Sequence, residues 1–176
     1  MLRFTLPLVM ISAMSVYGAS PVKAQTSQDS ALLSAARGMI IDIRYCTLIT
    51  QAADGTADAR TMDPFPPDST FTIWLGTNRQ SRKVAQIRAN PRVTLHWFDP
   101  ADPGYVVIKG RATVVDDAAL ERRYWKDEWK SFYPEGRSSY ILIKVIPQRL
   151  EIVSTRRNIL GDPASWEVPA VQFHRR

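Results

Sequence analysis

The densest group of chemistry-bearing side chains is the run Gly76-Thr77-Asn78-Arg79-Gln80-Ser81-Arg82-Lys83, which joins a predicted strand to a predicted helix. Arg79, Arg82 and Lys83 place three cations within five positions at the start of that helix. Cations there oppose the helix dipole, at about 0.3–1 kcal/mol each when exposed. A bound anion would reverse that sign, because backbone amides, a hydroxyl, a guanidinium and an ammonium together suit a phosphate. The spacing indicates either a phosphate site or a solvated turn, and does not decide between them.

Other familiar kinds of site lack support in this sequence. It contains no GxGxxG, Walker A, HExxH or GxSxG motif. His96, His174 and Cys46 are too few for a metal set, so no metal site is expected. His96 lies in a strand-like segment on the face opposite Trp97 and is interpreted as a structural residue, and Cys46 as a buried thiol. A serine or cysteine hydrolase is therefore disfavoured, and the catalytic residues are unknown.

The first 24 residues have the features of an export signal. Arg3 precedes an apolar, uncharged run from Phe4 to about Ala19, and Val22-Lys23-Ala24 offers small residues for a signal peptidase. The run is shorter than the roughly 20 apolar residues of a membrane-spanning helix. We expect cleavage of residues 1–24, which leaves residues 25–176 as a single periplasmic domain with no stable membrane insertion. Secretion, or anchoring by an uncleaved signal, are the alternatives.

The composition is that of a globular protein and argues against a nucleic-acid partner. Apolar residues make up 45% of the 176 residues and charged residues 23%, and the formal net charge is +6. Two of these charges, Arg3 and Lys23, belong to the predicted leader, which leaves +4 on the mature chain. A nucleic-acid footprint needs positive charge clustered on one face. The modest charge and the export signal therefore both disfavour nucleic-acid binding.

Hydrophobic alternation predicts the sheet that must position the run from Gly76 to Lys83. Ala53-Asp54-Gly55 indicates a hairpin turn, and the prolines of residues 63–68 assign that segment to a loop. Because turns and short helices separate most strands, the fold is predicted to be α+β or mainly β, with an antiparallel sheet or barrel. The predicted strands cover residues 46–51, 56–62, 71–75, 93–98, 105–115 and 140–153.

Three helices are predicted beside this sheet from 3.6-residue spacing. They cover residues 27–44, residues 81–89, and a segment that begins at Asp117. The third helix would present Trp125, Trp129 and Phe132 on one side. We interpret these aromatic side chains as packing on the core or on a dimer interface, rather than as platforms for stacked bases.

Several segments resemble the pyridoxamine 5′-phosphate oxidase-like superfamily, and within it the general stress protein branch. The most specific are Thr77-Asn78-x-x-Ser81-Arg82-Lys83 and the following Asn90-Pro91-Arg92-Val93, while Ala59-Arg60-Thr61-Met62 is a weaker match. The resemblance extends over about Leu32 to Phe173. It implies an antiparallel split β-barrel with peripheral helices, which forms a homodimer and binds FMN in clefts between the subunits.

The resemblance also implies which residues bind the cofactor. Those matching the phosphate-binding turn are Thr77, Ser81, Arg82 and Lys83. The segment Arg60-Thr61-Met62 matches a strand that runs beside the flavin and contributes to phosphate and ring contacts. The backbone at Leu75 and Gly76 would approach the flavin ring. Tyr105 stands where the oxidase has a glutamine that reaches across from the partner subunit, and Trp166 corresponds to a tryptophan near the oxidase's C-terminus.

The departures from the oxidase restrict the predicted function. The oxidase holds its pyridoxal substrate with a segment that contains a histidine, and the corresponding residues here, Arg156 to Asp162, contain none. Vitamin B6 oxidation is therefore not predicted. The first hypothesis is an exported FMN-binding flavoprotein, an oxidoreductase whose small-molecule substrate is unknown. The alternative is a non-catalytic flavin- or heme-binding, stress-response module on the same fold, and a deazaflavin or no cofactor also remain open.

Overall fold

The β-prone segments of the chain form one seven-stranded sheet in which every pairing is antiparallel. The computed structural model describes residues 27–133 and 136–174, so the predicted leader lies outside the described residues. The predicted antiparallel class is confirmed. The strands are β1 Cys46–Gln51, β2 Ala57–Met62, β3 Ile73–Asn78, β4 Arg92–Asp99, β5 Gly104–Val115, β6 Tyr140–Val153 and β7 Ala170–Gln172.

The strand order leaves a gap between two edges of the sheet. The order is β2-β1-β4-β5-β6-β3, with β7 added beside β6, so β2 and β3 lie at opposite ends. An isolated bridge between Pro64 and Leu75, and a 2.9 Å hydrogen bond from the Phe65 amide to the Trp74 carbonyl, join the edges at one point. Continued antiparallel register would place Met62 opposite Thr77, but β2 and β3 do not pair there. The sheet is thus a split barrel, as the resemblance implies.

Two helices match their predicted positions closely. The first, α1, covers Ser27–Ile43, and α2 covers Arg82–Ala89. α1 buries the side chains that recur at helical spacing, among them Leu32, Ala36 and Ile40, against the sheet. α2 follows β3 after a short turn, so its first residues lie at the edge of the gap.

The prediction of one long helix beginning at Asp117 is wrong. α3 covers only Ala118–Arg123, and a separate 3₁₀ turn follows at Asp127–Ser131. The Tyr140 hydroxyl donates a hydrogen bond to the carbonyl oxygen of Tyr124, which in a continuing helix would accept from an amide one turn later. A tertiary contact thus takes up a carbonyl at the point where the helix ends, although the local spacing favours continuation.

Side chains of β3 alternate between two apolar clusters. Ile73 and Leu75 belong to the main core, whereas Trp74 packs with Trp129 and Tyr140 on the other face. The main core also contains Cys46, as predicted, and burial raises the pKa of this thiol to about 12. Within the described part of the chain, no helix is long and apolar enough to cross a lipid bilayer.

Candidate functional site

A cavity of about 600 Å³ lies where β2 and β3 separate. Strands β2 and β3 supply one part of its lining, and the 3₁₀ turn with the residues after it supplies another. Five residues that the sequence assigns to the site line this cavity: Thr61, Met62, Gly76, Thr77 and Lys83. The other lining residues are Arg44, Tyr45, Asp63, Glu128, Trp129, Phe132 and Tyr133.

The start of α2 brings one ammonium and two hydroxyl groups together at the edge of the cavity. Lys83 Nζ donates to Thr77 Oγ1 at 3.0 Å, and Thr77 Oγ1 lies 3.2 Å from Ser81 Oγ. Ser81 is the N-cap of α2, but its side chain makes no hydrogen bond to the helix amides. Because the Ser81 side chain does not cap them, the first amides of α2, at the positive end of the helix dipole, are available to an anion.

Arg60, Arg82 and Lys83 form a cluster of positive charge, named here the cationic cluster. Arg60 and Arg82 both approach Asp58, at 3.5 and 4.0 Å. Among the described residues, Asp58 is the only carboxylate paired with any of these three cations, so two positive charges remain uncompensated. Burial, together with the charges of Arg60 and Arg82, lowers the pKa of Lys83 from its usual value of 10.5. Such a group is suited to a doubly charged anion.

Arg60 is held against its own neighbours rather than extended into solvent. Its Nη1 donates to Thr50 Oγ1 at 2.5 Å, and its Nη2 donates to Gln86 Oε1 at 3.2 Å. Arg82, in contrast, is largely exposed, with 84% of its side chain accessible. The cluster thus combines a fixed guanidinium, a half-buried ammonium and an exposed guanidinium.

The sequence interpretation that grouped Arg79 with this cluster is wrong. Arg79 forms a two-pronged pair with Asp116, at 2.5 and 2.9 Å, and donates to Glu121 at 2.9 Å. It also donates to the Ser138 carbonyl at 3.1 Å. These acceptors lie 37 to 59 residues further along the chain, so only the fold could bring them to Arg79. Arg79 has a structural role.

At another part of the cavity wall, Asp63 joins three side chains. It accepts two hydrogen bonds from Arg44, at 2.7 and 3.0 Å, one from Lys126 at 2.8 Å, and one from Trp129 Nε1 at 3.2 Å. Burial opposes ionisation, but hydrogen bonds from Arg44 and Lys126 outweigh it and lower the pKa of Asp63 to about 2. Arg44 also pairs with Glu128. Sequence reasoning missed this group, because no local pattern links residues so far apart.

Gly76 is required by close packing. A Cβ at this position would lie 2.3 Å from Tyr140 Oη and 2.6 Å from Trp129 Cζ3. Both side chains are buried and packed against each other. Any larger residue at position 76 would therefore displace Trp129, which lines the cavity.

Six of the residues that the resemblance assigns to the cofactor do not line the cavity within one chain. Arg60, Ser81 and Arg82 lie beside it, and the other three, Leu75, Tyr105 and Trp166, lie elsewhere. The Leu75 side chain is fully buried in the core. Tyr105 lies on β5, with its ring 5.9 Å from that of His96. Trp166 is 86% exposed and has a positive φ of 60°. Their roles stay predictions, and that of Tyr105 involves a second subunit.

The fold and the site define a class of protein: a split antiparallel barrel with a cluster of three cations beside its opening. Residues 33–160 match the sequence profile of the family described as "Pyridoxamine 5′-phosphate oxidase like". The chain belongs to this family. Among curated protein sequences, none matches the chain.

Solved structures with the same fold include bacterial stress proteins. One is a protein of Clostridium acetobutylicum related to general stress protein 26, with a TM-score of 0.66 and 19% identity, covering 72% of this chain and 91% of that one. General stress protein 26 of Bacillus anthracis matches with a TM-score of 0.56 and 27% identity, and the match covers 66% of this chain and 92% of that one. An FMN-binding, pyridoxamine 5′-phosphate oxidase-related protein of Nostoc punctiforme matches with a TM-score of 0.59 and 17% identity, and the match covers 86% of this chain and 99% of that one.

Proposed function

We propose that this protein binds FMN and acts as a flavin-dependent oxidoreductase on a small molecule other than vitamin B6. The observation that carries the proposal is the pair of uncompensated positive charges in the cationic cluster, beside a cavity large enough for a flavin-sized ligand. A phosphate monoester carries nearly two negative charges at neutral pH. The family membership and the FMN-binding relative from Nostoc punctiforme support the same ligand.

The residues present fit the two ends of FMN. Arg60, Arg82 and Lys83 would hold the phosphate, with the hydroxyl groups of Thr77 and Ser81. Thr61, Met62 and the backbone at Gly76 and Leu75 would contact the ring. When bound, FMN supplies the exchange of a hydride or single electrons, and the protein supplies position and electrostatic field.

The proposed assembly is a homodimer in which each site takes residues from both chains. Tyr105 lies on the surface-facing side of β5 and does not line the cavity of its own chain. A contact to the flavin would therefore come from the partner subunit, as the family resemblance implies. A mature protein that sediments as a monomer with FMN bound would contradict this assembly.

A non-catalytic binding module is the second candidate, and one observation favours it. Within the described residues, the two carboxylates that line the cavity, Asp63 and Glu128, are both ion-paired with Arg44. In this arrangement neither is an unpaired general acid or base. Turnover with a reductant and an electron acceptor, measured on the FMN-loaded protein, separates an enzyme from a binder.

The proposed location is the periplasm, after cleavage of the leader. The predicted cleavage site after residue 24 leaves every residue of the proposed FMN site on the mature chain. A chain that crosses the membrane unfolded would take up FMN after export. N-terminal sequencing of the protein from the periplasmic fraction tests this: Gln25 is the expected first residue, and retention of Met1 in the membrane fraction would contradict it.

FMN titration of the purified mature protein tests the proposed ligand. We expect saturable binding, with a change in flavin fluorescence and absorption. Arg60→Ala should raise the Kd about tenfold or more, because a charge-assisted hydrogen bond contributes roughly 1.5–3 kcal/mol. Arg88→Ala is the matched control, since Arg88 is an exposed cation in the last turn of the same α2 helix. Equal losses in both variants would contradict a specific phosphate site.

A further inference from the structure

Beyond the cationic cluster, much of the cavity is lined by aromatic side chains. We name the set the aromatic wall: Tyr45, Trp129, Phe132 and Tyr133. Tyr45 and Phe132 line the cavity yet are 51% and 76% exposed. They therefore form its outer rim, where a second molecule would enter beside the cofactor.

The inner part of the aromatic wall is fixed before any ligand binds. Trp129 is held by its hydrogen bond to Asp63 and packs edge-on against Phe65, with ring centroids 5.6 Å apart. Tyr133 packs edge-on against Tyr140 at 5.3 Å. A ring that binds here meets a preorganised apolar surface, so little ordering entropy is lost on binding.

Each charged side chain that lines this part of the cavity already has a partner of opposite charge. Arg44 pairs with Asp63 and with Glu128, and Asp63 also pairs with Lys126. Two cations thus face two carboxylates. The remaining charged lining residue, Lys83, belongs to the cationic cluster.

This charge balance discriminates between classes of ligand. A carboxylate or phosphate placed on the aromatic wall would lose hydration without meeting an unpaired cation, and that loss is costly. A neutral ring would lose no such hydration and would gain ring–ring contacts. Since the wall is continuous with the proposed FMN cavity, a molecule bound there would lie next to the cofactor.

We propose that the aromatic wall is the substrate subsite, and that it binds a neutral, planar, ring-containing molecule in preference to a carboxylated or phosphorylated one. The proposal rests on the proposed function, because the cationic cluster must already hold the phosphate of FMN. It narrows the substrate from any small molecule to a class defined by shape and charge.

A matched pair of probes tests this assignment on the mature protein loaded with FMN. At pH 7, 2-naphthol is neutral and 2-naphthoate carries a carboxylate on the same ring system. Calorimetric titration should give at least tenfold tighter binding for 2-naphthol. Phe132→Ala should weaken 2-naphthol binding roughly three- to tenfold, as loss of an aromatic contact implies. Phe98→Ala, which removes an exposed phenylalanine outside the cavity, should leave it unchanged.

The possible results separate this inference from the proposed function. If FMN itself does not bind, the proposed function fails, and this inference fails with it. If FMN binds but 2-naphthoate binds as tightly as 2-naphthol, or neither binds, only the substrate assignment fails. A Phe132→Ala protein that keeps its 2-naphthol affinity but changes its sedimentation coefficient would assign Phe132 to a subunit contact and also overturn the assignment.

Discussion

Arg79 and Lys83 are four residues apart in one run of the sequence, yet they lie in opposite electrostatic surroundings. Arg79 contacts two carboxylates and a backbone carbonyl. Within the described residues, Lys83 donates its one hydrogen bond to the Thr77 hydroxyl and lies near two further cations. The first cation is compensated by the fold and stabilises it. The second has no carboxylate partner among the described residues, and we propose that the phosphate of a ligand supplies the missing negative charge. Composition and spacing treat the two alike, so what distinguishes a binding cation is the set of acceptors that the tertiary structure brings to it.

The largest expected effect is a loss of FMN affinity when the Lys83 side chain is removed. Lys83→Ala should raise the Kd for FMN about thirtyfold or more, because a half-buried charged hydrogen bond to the phosphate is lost. The free energy of unfolding without ligand should stay the same or rise slightly, since repulsion from Arg60 and Arg82 is relieved. Calorimetry and urea denaturation measure the two quantities. Lys83→Arg, which keeps the charge, should recover most of the affinity.

The opposite pattern is expected at Arg79. Arg79→Ala should lower the free energy of unfolding by about 1–2 kcal/mol, because the nearly buried Glu121 loses a partner and Asp116 loses a bidentate one. The Kd for FMN should change less than twofold. Urea denaturation and FMN titration of the same preparation check both, with Arg79→Lys as the variant of intermediate stability. A tenfold loss of FMN affinity at unchanged stability would reverse the assignment.

A smaller effect is expected from the compensated group around Asp63. Its folded-state pKa, about 2, lies below the unfolded value of about 4. The ionised carboxylate therefore contributes stability that is complete above pH 4 and is lost as the pH falls from about 4 to about 2, on the order of 1 kcal/mol. Urea denaturation across this pH range should show a steeper loss for the wild-type protein than for Asp63→Asn. Parallel curves would contradict the proposed pairing.

The smallest expected effect is a pH dependence of FMN binding at alkaline pH. Burial and the neighbouring Arg60 and Arg82 lower the pKa of Lys83 below 10.5. FMN affinity should therefore fall as the pH rises through that lowered pKa, because Lys83 loses the charge that attracts the phosphate. In Lys83→Arg the affinity should stay constant over the same range, since the guanidinium remains charged.

The sequence predicts most of the strands because their alternation reflects burial that the sheet imposes. Strand β6 has the predicted limits. Strand β3 was expected at residues 71–75, but it begins at Ile73 and continues to Asn78. The third helix was mispredicted because the Tyr140 hydroxyl, sixteen residues away, takes the carbonyl of Tyr124. Local spacing carries no information about such a contact.

The candidate site also contains residues that local spacing predicts and residues that only the fold brings together. Thr77, Ser81 and Lys83 are close in sequence, so their grouping at a helix start, and with it the hypothesis of an anion site, follows from spacing. Arg60 comes from another strand, and only the family resemblance connects it with them. The hydrogen-bond partners of Asp63 lie 19 to 66 residues away from it in the sequence. This part of the cavity wall is therefore known only from the structure.

The central claim is that the cationic cluster binds the phosphate of a flavin, and comparison of FMN with riboflavin tests it most directly. The two ligands share the ring and differ in the phosphate. Calorimetric titration of the mature wild-type protein should give FMN binding at least a hundredfold tighter than riboflavin binding, since several charge-assisted hydrogen bonds depend on the phosphate. In Lys83→Ala that preference should shrink by at least tenfold. Equal affinity of the wild-type protein for both ligands, or no binding of FMN, would contradict the claim.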